Sequence, residues 1–126
     1  MKRIAVYGSL RKGEYNYRAS QGEPTLRGRV IGFNLYSLGA FPCIIAGDPC
    51  DSVEVEVYEF DPESSLFKGI EGMEIGAGYR REEVDFVAHD SDSPIKVEVY
   101  TYPTTALAWV GKPIPSGDWA KRGEAA

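Results

Sequence analysis

The sequence has 126 residues, 43% of them hydrophobic, and carries a formal net charge of −5 with a pI near 4.9. That is one ordinary domain's worth of chain, too apolar for disorder and lacking the basic surplus that a nucleic-acid partner requires. No apolar run approaches the ~20 residues that span a bilayer, and the start, "MKRIAVYGSL", has too short an apolar stretch for a signal peptide, so the expected location is the cytoplasm.

Residues 3–7, "RIAVY", read as a short buried strand, and "GSLRKGE" after it as a loop. Residues 14–21 suit a helical turn or two. "LRGRVIGFNLYSL", residues 26–38, reads as one long strand bulged at Gly28 or Gly32. "FPCIIA", 41–46, is another short strand, and "GDPCDS" a turn cluster. In "VEVEVYEF", 53–60, Val53, Val55 and Val57 share one face while Glu54, Glu56 and Tyr58 take the other.

"DPESSLFKGIEG", 61–72, predicts the clearest helix. Asp61 suits its N-cap, Pro62 its first position and Gly72 its end; Leu66 and Ile70, four apart, share a face. "YRREEVDFVA" and "IKVEVYTY" predict a hairpin across the turn "HDSDS". Pro94, Pro103, Pro113 and Pro115 crowd the end of the chain, so "GKPIPSGDW" is expected as a fixed loop. About six strands and one good helix predict an α+β domain spanning 1–126, a small mixed β-barrel with flanking short helices.

The chemistry-bearing stretch is "AVYGSLRKGEYN", residues 5–16. A strand that leaves through Gly-Ser exposes successive backbone N–H groups, and such a concave set holds an anion without a cationic side chain. Gly8 allows close backbone approach, and Ser9 adds a hydroxyl donor. A carboxylate or phosphate is the natural guest. GxxxxGK[ST] is absent, so the turn is no P-loop. Gly and Ser are also plain turn residues, and the residues alone leave both readings open.

"VYGSLRKGEYN" resembles the N-terminal signature of the gamma-glutamyl cyclotransferase-like superfamily, which includes the AIG2-like proteins. "YSLGAFPCIIAG", "VEVEVYEFD", "IEG" with "YRREEV", and "IPSGDW" follow in the family's order, so the resemblance spans nearly the whole chain. It implies a small β-barrel with flanking helices. It also implies an enzyme, of the small single-domain gamma-glutamylamine type, that releases 5-oxoproline and a free amine from a gamma-glutamyl compound. By that likeness the turn at Tyr7, Gly8, Ser9 and Leu10 binds the glutamyl α-carboxylate, and no metal or cofactor is needed.

The reaction requires a proton acceptor for the α-ammonium and a donor for the leaving amine. One carboxyl group serves both if its pKa lies near the working pH. Glu71, within Ile70-Glu71-Gly72, matches the family's acidic residue and sits one turn after Phe67 at the edge of the apolar face. Burial and the negative end of the helix dipole would both raise its pKa there. A solvated glutamate at a helix end is the plainer alternative. Two departures stand out. Lys68 occupies the Asp position of the family's Leu-Asp-x-x-Glu pattern, and "GMEIGAG" lengthens the gap from Glu71 to Tyr79, which makes Glu74 a rival.

Other groups carry less. Tyr79 and Arg81 fall on the family's Tyr-x-Arg, and Tyr100 and Tyr102 share a strand face with Glu98; ordinary packing and a surface ion pair account for them equally well. Cys43 with His89 lacks a third orienting group for nucleophilic chemistry. Cys43, Cys50 and His89 fall short of a four-ligand zinc site unless carboxylates join. "DSDS" lacks the rest of a calcium loop. Lys2, Arg3, Arg11, Lys12 and Arg18 are placed to draw an anionic small molecule to the turn, or are simply surface. Two further functions remain open: a small-anion-binding module of the same fold, and hydrolysis of another amide by water. Neither oligomeric state nor the leaving amine is readable.

Overall fold

Strand alternation builds the architecture. The structure, a computed structural model, describes residues 1–18, 21–39, 42–102 and 112–121. Strands β1 (Lys2–Val6), β2 (Leu26–Ile31), β5 (Ser52–Phe60), β6 (Arg80–Ala88) and β7 (Ile95–Thr101) form a closed barrel in the order β1-β5-β2-β6-β7. Strands β3 (Phe33–Ser37), β4 (Pro42–Ala46) and β8 (Lys112–Pro113) form a smaller sheet ordered β4-β3-β8. A short 3-10 turn, Trp119–Lys121, follows. Five of the expected strands stand where the alternation put them. The expected long strand 26–38 is two strands of different sheets: Gly32, at φ +85°, breaks it where no β-branched or aromatic residue would turn the chain. No helix is described within 14–18, where turns run instead; residues 19 and 20 lie outside the described ones. "GKPIPSGDW" contains β8 rather than loop alone.

Inside the barrel Val53, Val55 and Val57 of β5 meet Ala5, Val30, Val84, Phe86, Val97 and Val99, all buried. The outer face of β5 is covered too. Tyr58 and Phe60 join Ile4 and Val6 of β1 beneath helix α1 (Ser65–Gly76), whose Phe67 and Ile70 are buried against them. Burying each such side chain contributes roughly 1.5–3 kcal/mol relative to exposure, which holds a helix too short to persist alone.

The helix starts and ends one turn later than the sequence suggests. Asp61 is used in a turn: its carbonyl accepts the Ser64 amide at 3.0 Å, and its Oδ1 accepts the Glu63 amide at 2.9 Å. Ser64 is the N-cap, its hydroxyl accepting the Phe67 amide at 3.1 Å. Gly72 keeps helical angles and the helix runs on to Gly76. Gly78, at φ +99°, ends it: its amide donates to the Ile75 carbonyl at 3.1 Å and the Tyr79 amide to the Glu74 carbonyl at 3.0 Å, a Schellman motif.

Two strand ends place the site. β1 and β7 close the barrel as a parallel pair, Ile4 opposite Glu98 and Ala5 opposite Val99, so their C-terminal ends lie at the same rim. There the Tyr7 hydroxyl donates to the Tyr100 carbonyl at 2.7 Å.

Nothing lies within 4 Å of a Cβ added at Gly72. Gly72→Ala is therefore expected to raise stability by about 0.5–1 kcal/mol, the usual gain of alanine in a helix interior, read as a higher urea midpoint. Gly28→Ala should lower the midpoint, because its Cβ would stand 2.1 Å from the Val87 carbonyl oxygen. A Gly72→Ala midpoint equal to or below the wild type would contradict the helix assignment there.

Candidate active site

A cavity of about 210 Å3 opens at the rim where β1 and β7 end. The turn after β1 forms one side, with Tyr7, Gly8, Ser9 and Leu10 all in its lining; the last turn of α1 forms another, with Met73, Glu74 and Ala77; Pro42, Tyr79 and Tyr100 complete the walls.

In the turn the Gly8, Ser9 and Leu10 carbonyls are each taken up. Gly8 O accepts the Arg11 amide at 3.0 Å, Ser9 O accepts the Asn16 amide at 2.7 Å, and Leu10 O accepts Gln21 Nε2 at 3.2 Å. Among the described residues the amides of Gly8, Ser9 and Leu10 donate to no acceptor. Asn16 Nδ2 donates to Ser9 Oγ at 2.8 Å, which leaves the serine hydroxyl its own proton to give. Such donors, set on a cavity wall, have the chemistry to hold an anion. Gly8 is required for packing: a Cβ there would lie 2.3 Å from Cγ of the Pro42 ring.

The two glutamates of α1 stand in different surroundings. Glu71 and Glu74 are three residues apart, so they share a helix face only in part. Glu71 is absent from the described cavity lining; its Oε2 is paired with Arg81 Nη1, and Arg81 Nε also reaches Glu98 Oε2 at 2.5 Å. The same guanidinium lies 5.4 Å from the centre of the Phe67 ring. Tyr100 OH is buried beside Glu71 and Arg81 without a hydrogen bond closed to either. Glu74 lines the cavity and its carboxyl is pushed up to about 7 by burial.

Glu74 also raises its neighbours. The Tyr7 hydroxyl is lifted well above its ordinary range by burial, then by Tyr79 and Glu74. Tyr79 is lifted by burial and then by Glu74, and its hydroxyl donates to the Pro42 carbonyl at 2.5 Å. Tyr79 packs edge-on against Tyr102, ring centres 5.1 Å apart.

The remaining candidates fall away from the cavity. Burial pushes the Cys43 thiol to about 12, opposite to what a thiolate nucleophile needs, and His89 Nε2 lies 2.6 Å from Glu54 Oε2 instead. Among the described residues no three His, Cys, Asp or Glu side chains gather as metal ligands, and no helix is long and apolar enough to cross a membrane. Three of the cations near the N-terminus are paired with carboxylates: Lys2 with Glu98, Arg11 with Asp118 and Lys12 with Glu23.

The model of the family "Gamma-glutamyl cyclotransferase, AIG2-like" matches residues 4–121. The chain belongs to this family. Two archaeal proteins that bear the name "Putative gamma-glutamylcyclotransferase" are similar to it. That of Pyrococcus horikoshii is 41% identical over 83 residues, covering 65% of this chain and 67% of its own; that of Methanocaldococcus jannaschii is 27% identical over 121 residues, 94% and 96% of the two chains. The solved structure of the Pyrococcus horikoshii protein superposes with a TM-score of 0.73 at 33% identity, over 96% of this chain and 92% of that one. A mouse AIG2-like protein superposes with a TM-score of 0.66 at 26% identity, over 86% and 82%.

Glu74, the rival that the lengthened gap to Tyr79 suggested, falls in the cavity lining because the helix continues past Gly72, while Glu71 is paired with Arg81.

A carboxyl whose folded pKa is raised stabilises the fold fully below its unfolded pKa, and that contribution fades as pH rises through the folded one. For Glu74 the window runs from its ordinary value of 4.5 to about 7. Denaturant unfolding at several pH values should show the wild type losing stability across that window and Glu74→Gln, which stays neutral, losing less. Parallel curves for the two proteins would mean that Glu74 is not desolvated.

Proposed function

We propose that this family member is a cyclotransferase that releases 5-oxoproline and a free amine from a gamma-glutamyl amine or amide, with Glu74 as its acid and base. The observation that carries the assignment is one cavity with, on one wall, amides that find no acceptor among the described residues and, on another, a carboxyl pushed up to about 7 by burial. The Gly8, Ser9 and Leu10 amides and the Ser9 hydroxyl take the glutamyl α-carboxylate. The Glu74 carboxylate accepts a proton from the α-ammonium, and the freed amine nitrogen attacks the γ-carbonyl carbon. The Glu74 carboxyl returns that proton to the departing nitrogen as the C–N bond breaks, then takes the surplus proton from the ring nitrogen and passes it to the released amine, leaving a five-membered lactam, an ammonium product and an ionised Glu74. A pKa near neutrality suits both halves, since both protonation states are then populated. No further proton carrier is required.

Glu74 takes this role in place of Glu71. An arginine on Glu71 holds it in an ion pair, whereas a general base needs its lone pairs free toward substrate. The walls support intramolecular attack over hydrolysis: Leu10, Pro42, Met73 and Ala77 leave little for an attacking water to bond to. The described lining carries no cationic side chain, so a leaving group with a second carboxylate finds no charge partner there.

The test offers purified protein a panel of gamma-glutamyl amines and gamma-glutamyl amino acids and measures 5-oxoproline. Glu74→Gln should lower kcat by about 10²–10⁴, the usual range for loss of a general acid–base group. Glu71→Gln should keep kcat within about tenfold, as for a group that does not transfer the proton. Wild-type activity should change around pH 7, the pKa of Glu74. Activity lost in Glu71→Gln and kept in Glu74→Gln would reverse the assignment. Free glutamate as product would mean hydrolysis, and 5-oxoproline bound without turnover of any substrate would mean a binding module.

A further inference from the structure

Away from the cavity, one buried carboxylate is bonded to the loop that carries the anion-holding turn. Glu56 projects from the outer face of β5, only 6% exposed, and is absent from the described cavity lining. Its Oε1 accepts the Lys12 amide at 2.8 Å and the Tyr58 hydroxyl at 2.9 Å. Its Oε2 lies 3.8 Å from Arg11 Nε and 3.9 Å from Arg27 Nε. Arg11 Nη1 also donates to Asp118 Oδ1 at 2.8 Å. Burial would raise the Asp118 carboxyl, but the Arg11 bond and the Ala120 amide outweigh it and hold it below its ordinary range.

A carboxylate persists at such depth only where donors compensate its lost water. Here the loop itself supplies an amide and a guanidinium, so loop and strand are held to each other. The link to the turn is direct, because the Arg11 amide bonds back to Gly8 O at 3.0 Å. Residues 11 and 12 are therefore gripped by β5 on one side and by Asp118, just before the 3-10 turn, on the other, while the three amides before them find no acceptor among the described residues.

We infer that Glu56 is a positioning residue: by fixing Arg11 and Lys12 it sets the direction in which the Gly8, Ser9 and Leu10 amides face a bound carboxylate. This rests on the cyclotransferase assignment for the turn's role, but the grip itself does not.

Two variants grade the effect. Glu56→Gln keeps an oxygen for the Lys12 amide and loses the charge facing the arginines; Glu56→Ala loses both. Hydrogen exchange is read at the bonded amides of Arg11, Lys12 and Asn16 and, in the same samples, at barrel-strand amides, beside KM and kcat for 5-oxoproline release. Expected are faster exchange confined to the loop and a KM raised roughly tenfold in Glu56→Ala, about the worth of one lost hydrogen bond. Glu56→Gln should show less, with kcat within about threefold in both, since the proton-transferring group is untouched. Exchange that rises equally in every strand, or a fall in kcat at unchanged KM, overturns the proposal. Should the Glu56 variants fail to fold, Arg11→Met cuts the same grip from the loop side and must give the same local exchange and KM shift. If the wild type neither binds nor turns over any gamma-glutamyl compound, the cyclotransferase assignment fails, while loop-confined exchange in the variants still upholds the grip and unchanged loop exchange still refutes it.

Discussion

The parallel pairing of β1 with β7 is the constraint on which the cavity depends. The other pairs of the barrel are antiparallel, and antiparallel neighbours send their C-terminal ends to opposite rims. The parallel pair brings two such ends to one rim, where the turn of residues 7–10 leaves β1 and Tyr100 sits near the end of β7. β6 runs antiparallel to β7 and so begins there, which delivers the end of α1 and Tyr79 to the same place. The Tyr7 hydroxyl on the Tyr100 carbonyl fastens the two strand ends at that point.

Two carboxyls three residues apart on one helix are separated chemically by their surroundings. Glu71 meets an arginine that also binds Glu98 and lies over Phe67. Glu74 meets a cavity whose described lining holds no cation, and desolvation alone moves it toward neutrality. The same residue type is thus held in an ion pair in one position and desolvated in the other, set by which neighbour the helix turn presents. The Schellman motif contributes to this separation: it ties the Tyr79 amide to the Glu74 carbonyl and fixes where the last turn stops.

Much of the fold was legible because alternation in β5, β6 and β7 is strong, and a barrel follows from such strands with one helix to cover them. The turn at residues 7–10 was legible as an irregular exit from β1 because Gly-Ser after an apolar strand ends the ladder, and it lines the cavity as a turn there can. The limits of α1 were harder to read. Asp61-Pro62 and Gly72 carry the local signals of a helix start and stop, yet Ser64 and Gly78 hold those places, since buried Phe67 and Ile70 and the path into β6 decide where the helix begins and ends. That displacement of one turn is what separated Glu71 from Glu74. The split at Gly32 was missed for a like reason: a glycine in a strand pattern signals a bulge or a corner with equal force, and only the second sheet distinguishes them. Glu56 gave no sign of burial, because a Val-Glu-Val alternation ordinarily means a wet face, and the loop that covers it lies 44 residues away in sequence.

Pro42 touches both halves of the cavity at once. Its ring fills the space that a side chain at residue 8 would need, and its carbonyl takes the hydroxyl of Tyr79. Because proline has a fixed φ and a stiff ring, neither contact can yield without the other. The smaller sheet is thus wedged between the turn after β1 and Tyr79, so a shift of β4 against the barrel would move both walls of the cavity in one motion.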